Sequence, residues 1–174
     1  IYGNHENLAA WHAARNRDGT PALIPDCQVI ELRGLRVAGI SGVISPKGGA
    51  KKGVPRKTPE EFLKAALCLA GREVDVLLVH EVVPLPEYGR AVRSRELLEV
   101  VKEAVELVKP KVVFNGHLHD APYTISAIGQ TLYVRVDSSQ ASRHYAVLHW
   151  EEGLVEIWRD LNPVDRAPLK LSGC

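Results

Sequence analysis

Val74-Asp75-Val76-Leu77-Leu78-Val79-His80 is an almost unbroken apolar run that stops on a histidine. A strand with one face in water alternates apolar and polar residues, so a continuous run predicts a strand buried on both faces. The construction recurs at Lys111–Asn115, which leads into Gly116-His117-Leu118-His119. Between the two lies Ser94–Val108, an amphipathic helix by its spacing, terminated by Pro110. Strand and helix in alternation predict a single α/β domain.

Working outward, Thr58-Pro59-Glu60-Glu61 supplies a cap, a proline at the first helical position and a glutamate at the third. That capping box opens a helix running to about Ala70, with Gly71 as its stop. Upstream, Glu6–Asn16 reads as a short helix, and Gln28–Arg33 and Leu35–Ser41 flank Gly34 as a β-hairpin. Ser45–Lys57, rich in Gly, Pro, Lys and Arg, is a loop by composition. Downstream, Tyr123–Ile128, Thr131–Val136, Tyr145–Trp150 and Leu154–Arg159 read as successive strands, the last two joined by a Glu-Glu-Gly turn. The tail Asn162–Cys174, with two prolines, is expected to pack as irregular coil. There is no internal repeat and no domain-sized linker.

Of the 174 residues, 45% are hydrophobic and 25% charged, and the net charge is +1. This is the balance of a soluble globular domain, without a global pull toward nucleic acid or an anionic membrane. The longest apolar runs fall far short of a bilayer span, and Ile1-Tyr2-Gly3 opens no targeting pattern. Cys27, Cys68 and Cys174 are odd in number and contain no C-x-x-C pair, so neither a zinc knuckle nor a disulfide framework is expected. Cys68, between Leu67 and Leu69, reads as a buried inert thiol, and the cytoplasm is the expected compartment. The absence of methionine, few Asn and Gln, and abundant Val and Pro fit a thermostable source.

Three of the seven histidines, His80, His117 and His119, fall where a strand gives way to a loop. A fourth lies in Gly3-Asn4-His5-Glu6, directly before a helix. Ligands of open α/β sheets bind at the carboxyl ends of the strands. In an extended segment His117 and His119 would point the same way, and Gly116 would let the backbone approach closely. Imidazole suits zinc, iron, nickel and copper, and Asn4 adds an amide oxygen. An H-x-H pair is equally at home on a solvated loop, so by itself it leaves both readings open.

The order Gly3-Asn4-His5-Glu6, then a strand-terminal His80, then Gly116-His117-Leu118-His119 resembles the last three motifs of the calcineurin-like metallophosphoesterases. Val136-Asp137-Ser138-Ser139 falls where that family often carries an Asn-Pro-Gly-Ser turn. The resemblance implies a four-layer αββα sandwich with two packed mixed sheets. It makes residues 1–174 the C-terminal part of one metallophosphoesterase domain. The family's first two motifs, Asp-x-His and Gly-Asp-x-x-Asp, would stand in a missing N-terminal segment with its strands and helices. It further implies two divalent ions (Mn, Fe, Zn or Ni), with Asn4, His80 and His117 as ligands of one and His119 of the other. His5 matches the residue that contacts phosphate and protonates the leaving oxygen, and Glu6 the acid that orients it. A carboxylate beside an imidazole favours imidazolium, which suits a general acid near neutral pH. Ions about 3.5–4 Å apart then share a bridging hydroxide that attacks phosphorus directly. Lacking the bridging aspartate, this chain alone is expected to bind metal poorly and to be inactive.

Arg33–Gly42 looks like the corresponding part of lariat-debranching enzymes, which favours a phosphodiesterase over a phosphomonoesterase, with nucleic acid as a candidate substrate. Protein phosphatases of the superfamily usually place arginine where this chain has Tyr2. Lys47, Lys51, Lys52, Arg56 and Lys57 form a glycine-rich basic loop that is either merely solvated or, through Lys51 and Lys52, a clamp for phosphate. Glu81 is either a partner behind the ligands or a solvated loop residue. His12 is expected to be half-buried, and His144 and His149 to be surface or structural residues. The three tryptophans are too dispersed to suggest base stacking. The alternative function is a catalytically inactive scaffold or binding subunit of the same fold.

Overall fold

The computed structural model describes residues 1–137 and 142–169. Its first helix, α1 (Leu8–Ala13), is capped by Asn7, whose side chain accepts the Ala10 N–H. It buries none of its residues, and His12, expected to be half-buried, is exposed. β1 (Val29–Leu32) and β2 (Leu35–Ile40) form the expected antiparallel hairpin. Its turn residues Arg33 and Gly34 have φ of 52° and 81°, the left-handed pair whose twist matches two antiparallel strands.

Ser45–Lys57 is not a plain loop. β3 (Val43–Ile44) pairs in parallel with β5 (Val54–Lys57), and β4 (Ala50–Lys51) folds back antiparallel on β5 across Lys52-Gly53. Composition misleads here because the residues that break regular structure also make tight hairpin turns, and two-residue strands carry no readable period. α2 (Pro59–Leu69) forms both halves of its capping box: Glu61 N donates to Thr58 Oγ1 at 3.2 Å, and Thr58 N donates to Glu61 Oε2 at 2.8 Å. β6 (Val76–Val79), α3 (Arg95–Val108) and β7 (Val112–Asn115) complete the predicted strand-helix-strand unit.

The late strands are β8 (Tyr123–Ile128), β9 (Thr131–Val136), β10 (His144–His149) and β11 (Leu154–Arg159). Asn162–Pro168, expected to be coil, forms β12 against β11. It is an edge strand, where the missing N–H groups of Pro163 and Pro168 are tolerated, so the prolines do not exclude pairing.

Six strands lie in the order β1-β2-β6-β7-β9-β8, parallel through β2, β6, β7 and β9 and antiparallel at both edges. α2 and α3 cover one face, where Phe62, Leu69, Val101 and Val105 meet Leu77, Val79 and Val113. The other face, with Val37, Val76, Val112 and Val134, packs on Val155 and Ile157 of the β10-β11-β12 sheet. The architecture is therefore mixed α/β with several sheets and few helices. Each fully buried Val or Leu on these two faces contributes about 1.5–3 kcal/mol.

The cysteine expectation is overturned. Cys27 and Cys68 form a disulfide across 41 residues with a Cα–Cα separation of 5.1 Å, tying the lead-in to β1 to α2. Cys68 stands on the exposed side of α2 rather than in the core. Sequence spacing does not reveal a bond between distant elements, and the absence of disulfides no longer argues for a cytoplasmic location. Among the described residues no helix is long and apolar enough to cross a membrane.

Candidate metal centre

Because β2, β6 and β7 run parallel, their carboxyl ends share one edge. Ser41 follows β2, His80 and Glu81 follow β6, and Gly116-His117-Leu118-His119 follows β7. The first residues of the chain cross the same edge. Tyr2 N donates to Ser41 Oγ at 3.3 Å, and Gly42 N donates to Tyr2 O at 2.7 Å. Gly3 then passes so close to His80 that an added Cβ would stand 2.4 Å from the imidazole. Only glycine admits this approach, and it delivers the next residue, Asn4, to the ring.

Three donor atoms converge there. His80 Nε2 lies 3.0 Å from Asn4 Oδ1 and 3.0 Å from His117 Nδ1. The two rings are 4.8 Å apart between centroids and inclined at 66°. Burial, and then the neighbouring His117, lower the His80 pKa to about 4, with Glu6 opposing and His5 and His119 adding to the effect. Burial also lowers His117, against the opposing charge of Glu81, with His119, His5 and Arg56 assisting. Both imidazoles are thus held neutral near pH 7, the state in which a ring nitrogen offers a lone pair. His5 and His119 both act on His80 and on His117, so the four histidines share one electrostatic neighbourhood.

The His-x-His segment differs from its expected geometry. His117 has φ +65°, and Leu118 N donates to Gly116 O at 2.8 Å, which closes a γ-turn around it. The two imidazoles therefore diverge: His117 joins His80, whereas exposed His119 pairs through Nδ1 with Asp137 Oδ1. Glu6 also acts differently from expectation. Its Oε2 accepts the backbone N–H of His5 at 2.9 Å, so it fixes the main chain there. Partial burial opposes ionisation of Glu6, but backbone N–H groups of His5, Gly3 and Glu6 itself outweigh it and lower the pKa.

Several residues that support the site were not singled out in the sequence. Asn115 Nδ2 donates to the carbonyls of Val79, His80 and Glu81 at 3.0, 3.1 and 2.7 Å, while its Oδ1 accepts from Tyr133 OH at 2.6 Å. Arg135 is fully buried and donates to Leu118 O, Ala121 O and Thr124 Oγ1 at 2.5, 2.8 and 3.1 Å, holding the loop that carries His119. The only available signal was a polar residue within an otherwise apolar strand, at Asn115 and again at Arg135.

Glu81 is buried, which removes the solvated-loop alternative. Lys51 and Lys52 are exposed, and among the described residues no hydrogen bond or ion pair ties them to the histidines. Lys57 instead pairs with Asp26 at 2.9 Å and lies 5.6 Å from the Tyr2 ring centroid. His144 bonds Ser142 O and His149 bonds Glu156, the structural roles expected of them. The expected turn at Ser138-Ser139 lies outside the described residues.

Among the described residues no group of three His, Cys, Asp or Glu side chains is disposed to hold a metal ion. The convergent set is two imidazoles and an amide. Three neutral donors within one hydrogen-bond radius fit a single divalent cation. They do not make a second site, for which the family resemblance offers only His119.

No protein-family model and no curated protein matches the chain. A solved structure similar in fold is that of TT1561 of Thermus thermophilus, determined by crystallography. It shares 18% identity at a TM-score of 0.53, over 76% of this chain and 57% of that one. The chain thus spans little more than half the length of that structure, and at this identity the likeness is one of fold.

Proposed function

We propose that the chain forms part of a metal-dependent phosphoester hydrolase of the calcineurin-like class, with diesters preferred over monoesters. The observation that carries this reading is the meeting of Asn4 Oδ1 and His117 Nδ1, each 3.0 Å from His80 Nε2, at the carboxyl edge of a parallel sheet. The order of the three motifs along the chain supports the family reading. Two sheets packed face to face, with α2 and α3 outside the larger, support the four-layer sandwich that this class implies.

In this reading Asn4, His80 and His117 would hold one divalent ion, and His119, which pairs with Asp137, would contribute to a second. A segment carrying the family's Asp-x-His and Gly-Asp-x-x-Asp motifs, which this sequence does not contain, would complete the set. Bound divalent ions lower the pKa of a water and neutralise charge on the phosphoryl oxygens. His5, exposed at the rim, donates its proton to the departing ester oxygen as a water-derived hydroxide adds to phosphorus. Glu6 holds the main chain at His5 so that the imidazole stays beside the donor cluster. The scaffold alternative draws support from one observation, the engagement of His119 by Asp137.

The test is hydrolysis of bis(4-nitrophenyl) phosphate and of the monoester with Mn²⁺, Ni²⁺ or Zn²⁺, by the chain joined to a segment carrying the two aspartate motifs. His117→Ala should abolish turnover and lose metal, whereas His5→Ala should reduce turnover with metal retained. Turnover that survives both substitutions refutes the assignment.

A further inference from the structure

Glu81 is a carboxylate with 4% of its surface exposed. Burying a charge is costly unless it is satisfied, and here the satisfaction is specific. Oε2 accepts from Ile44 N at 2.9 Å and Oε1 from Val82 N at 3.0 Å. Its own carbonyl is fixed by Asn115 Nδ2 at 2.7 Å. The remaining side-chain partner is His117, whose Nε2 lies 3.7 Å from Oε1. The carboxylate therefore has fixed main-chain bonds on one side and the Nε2 edge of an imidazole on the other.

We propose that Glu81 is a positioning residue that keeps His117 in the Nε2–H tautomer, so that the Nδ1 lone pair faces the locus shared with Asn4 and His80. An ionised carboxylate is acceptor-only and attracts the ring proton to the nitrogen beside it. The opposite nitrogen is then bare, and it is the one that stands 3.0 Å from His80 Nε2. With Nδ1 bare, the single proton of that contact belongs to His80 Nε2, which donates toward Asn4 Oδ1 and His117 Nδ1. A cation entering here would displace that proton from His80 Nε2 to Nδ1 by way of solvent, leaving the ring neutral, while His117 would need no rearrangement. A ligand imidazole held through its other nitrogen by a carboxylate is a general device for orienting the ring. Here the carboxylate comes from the residue directly after His80, so one strand end supplies a donor and fixes its neighbour's tautomer.

The inference rests on the reading that this locus binds a divalent cation, and the experiment separates the two. Long-range ¹H–¹⁵N correlation on histidine-labelled full chain, free of metal, reads the His117 tautomer directly. The expected wild-type result is the Nε2–H form. Glu81→Gln should mix or invert it, and Co²⁺ affinity measured by calorimetry should fall about 10- to 100-fold. An Nδ1–H tautomer in the wild type overturns the proposal without any variant, so misfolding of Glu81→Gln does not shield it. An unchanged tautomer and unchanged Co²⁺ affinity in a folded Glu81→Gln protein overturn it as well. A wild-type chain that shows the Nε2–H form yet binds no Co²⁺ sinks the cation reading while leaving the tautomer assignment standing.

Discussion

The side-chain amide of Asn115 reaches across from the end of β7 to the carbonyl of Glu81, 2.7 Å away, and its oxygen takes the Tyr133 hydroxyl at 2.6 Å. One residue thus stitches together the two strand ends that carry His80 and His117. Asn115→Ala leaves buried carbonyls and a buried hydroxyl without this partner. Stability should fall by roughly 2–3 kcal/mol, given about 1–3 kcal/mol for each unsatisfied buried group and partial relaxation. Tyr133→Phe should cost about 1 kcal/mol. Urea unfolding followed by tryptophan fluorescence measures both, and equal costs would argue against the clamp.

Gly3 is the closest approach between the first residues and the sheet edge. Gly3→Ala places a methyl where the His80 ring already stands, so the segment carrying Asn4 must lift away. The expected outcome is loss of Co²⁺ affinity as large as that of Asn4→Ala. The melting temperature should stay near that of Asn4→Ala, because both variants disturb the same short segment, whose His5 is exposed. Calorimetric titration and a thermal melt of the same sample decide this.

The disulfide closes a loop of 41 residues, and the chain-entropy relation assigns such a loop about 4 kcal/mol. Cys68→Ser should lower the unfolding free energy by up to that amount. Unfolding of wild type with and without dithiothreitol should show the same difference. No effect of reductant on wild type, with Cys68→Ser equally stable, would mean that the two thiols are not bonded in solution.

The pKa of His80 lies at about 4 in the fold, against about 6.5 for an unperturbed histidine. Between these values the unfolded chain binds a proton that the native ring does not. Lowering the pH from about 6.5 to about 4 therefore favours unfolding, and the effect saturates below the folded pKa. His80→Gln, which has no titrating group, should flatten that part of the pH–stability curve. Denaturant unfolding at intervals across the window tests the sign, and a wild type that gains stability on acidification would contradict it.

The sequence was most legible where one physical rule acts alone. Val74–His80 and Lys111–Asn115 announced buried strands because their apolar runs are short and rich in β-branched valine, which favours a strand over a buried helix. Thr58 and Glu61 announced a helix because reciprocal capping has a fixed spacing. Legibility failed where structure depends on partners distant in sequence. The Cys27–Cys68 bond and the buried polar contacts of Asn115, Glu81 and Arg135 are set by tertiary placement. The divergence of His117 from His119 has a local cause, since a γ-turn at His117 breaks the period of two on which the sequence argument relied.

The convergence of Asn4, His80 and His117 on one cation is tested most directly by Co²⁺ absorption spectroscopy on the full chain. With two imidazoles and an amide but no bridging carboxylate the affinity is weak, so visible d–d bands should grow in and saturate on titration with excess Co²⁺. They should vanish in Asn4→Ala, His80→Ala and His117→Ala but persist in His12→Ala and His149→Ala. Bands that survive loss of His80 or His117, or that never appear in the wild type, would contradict it.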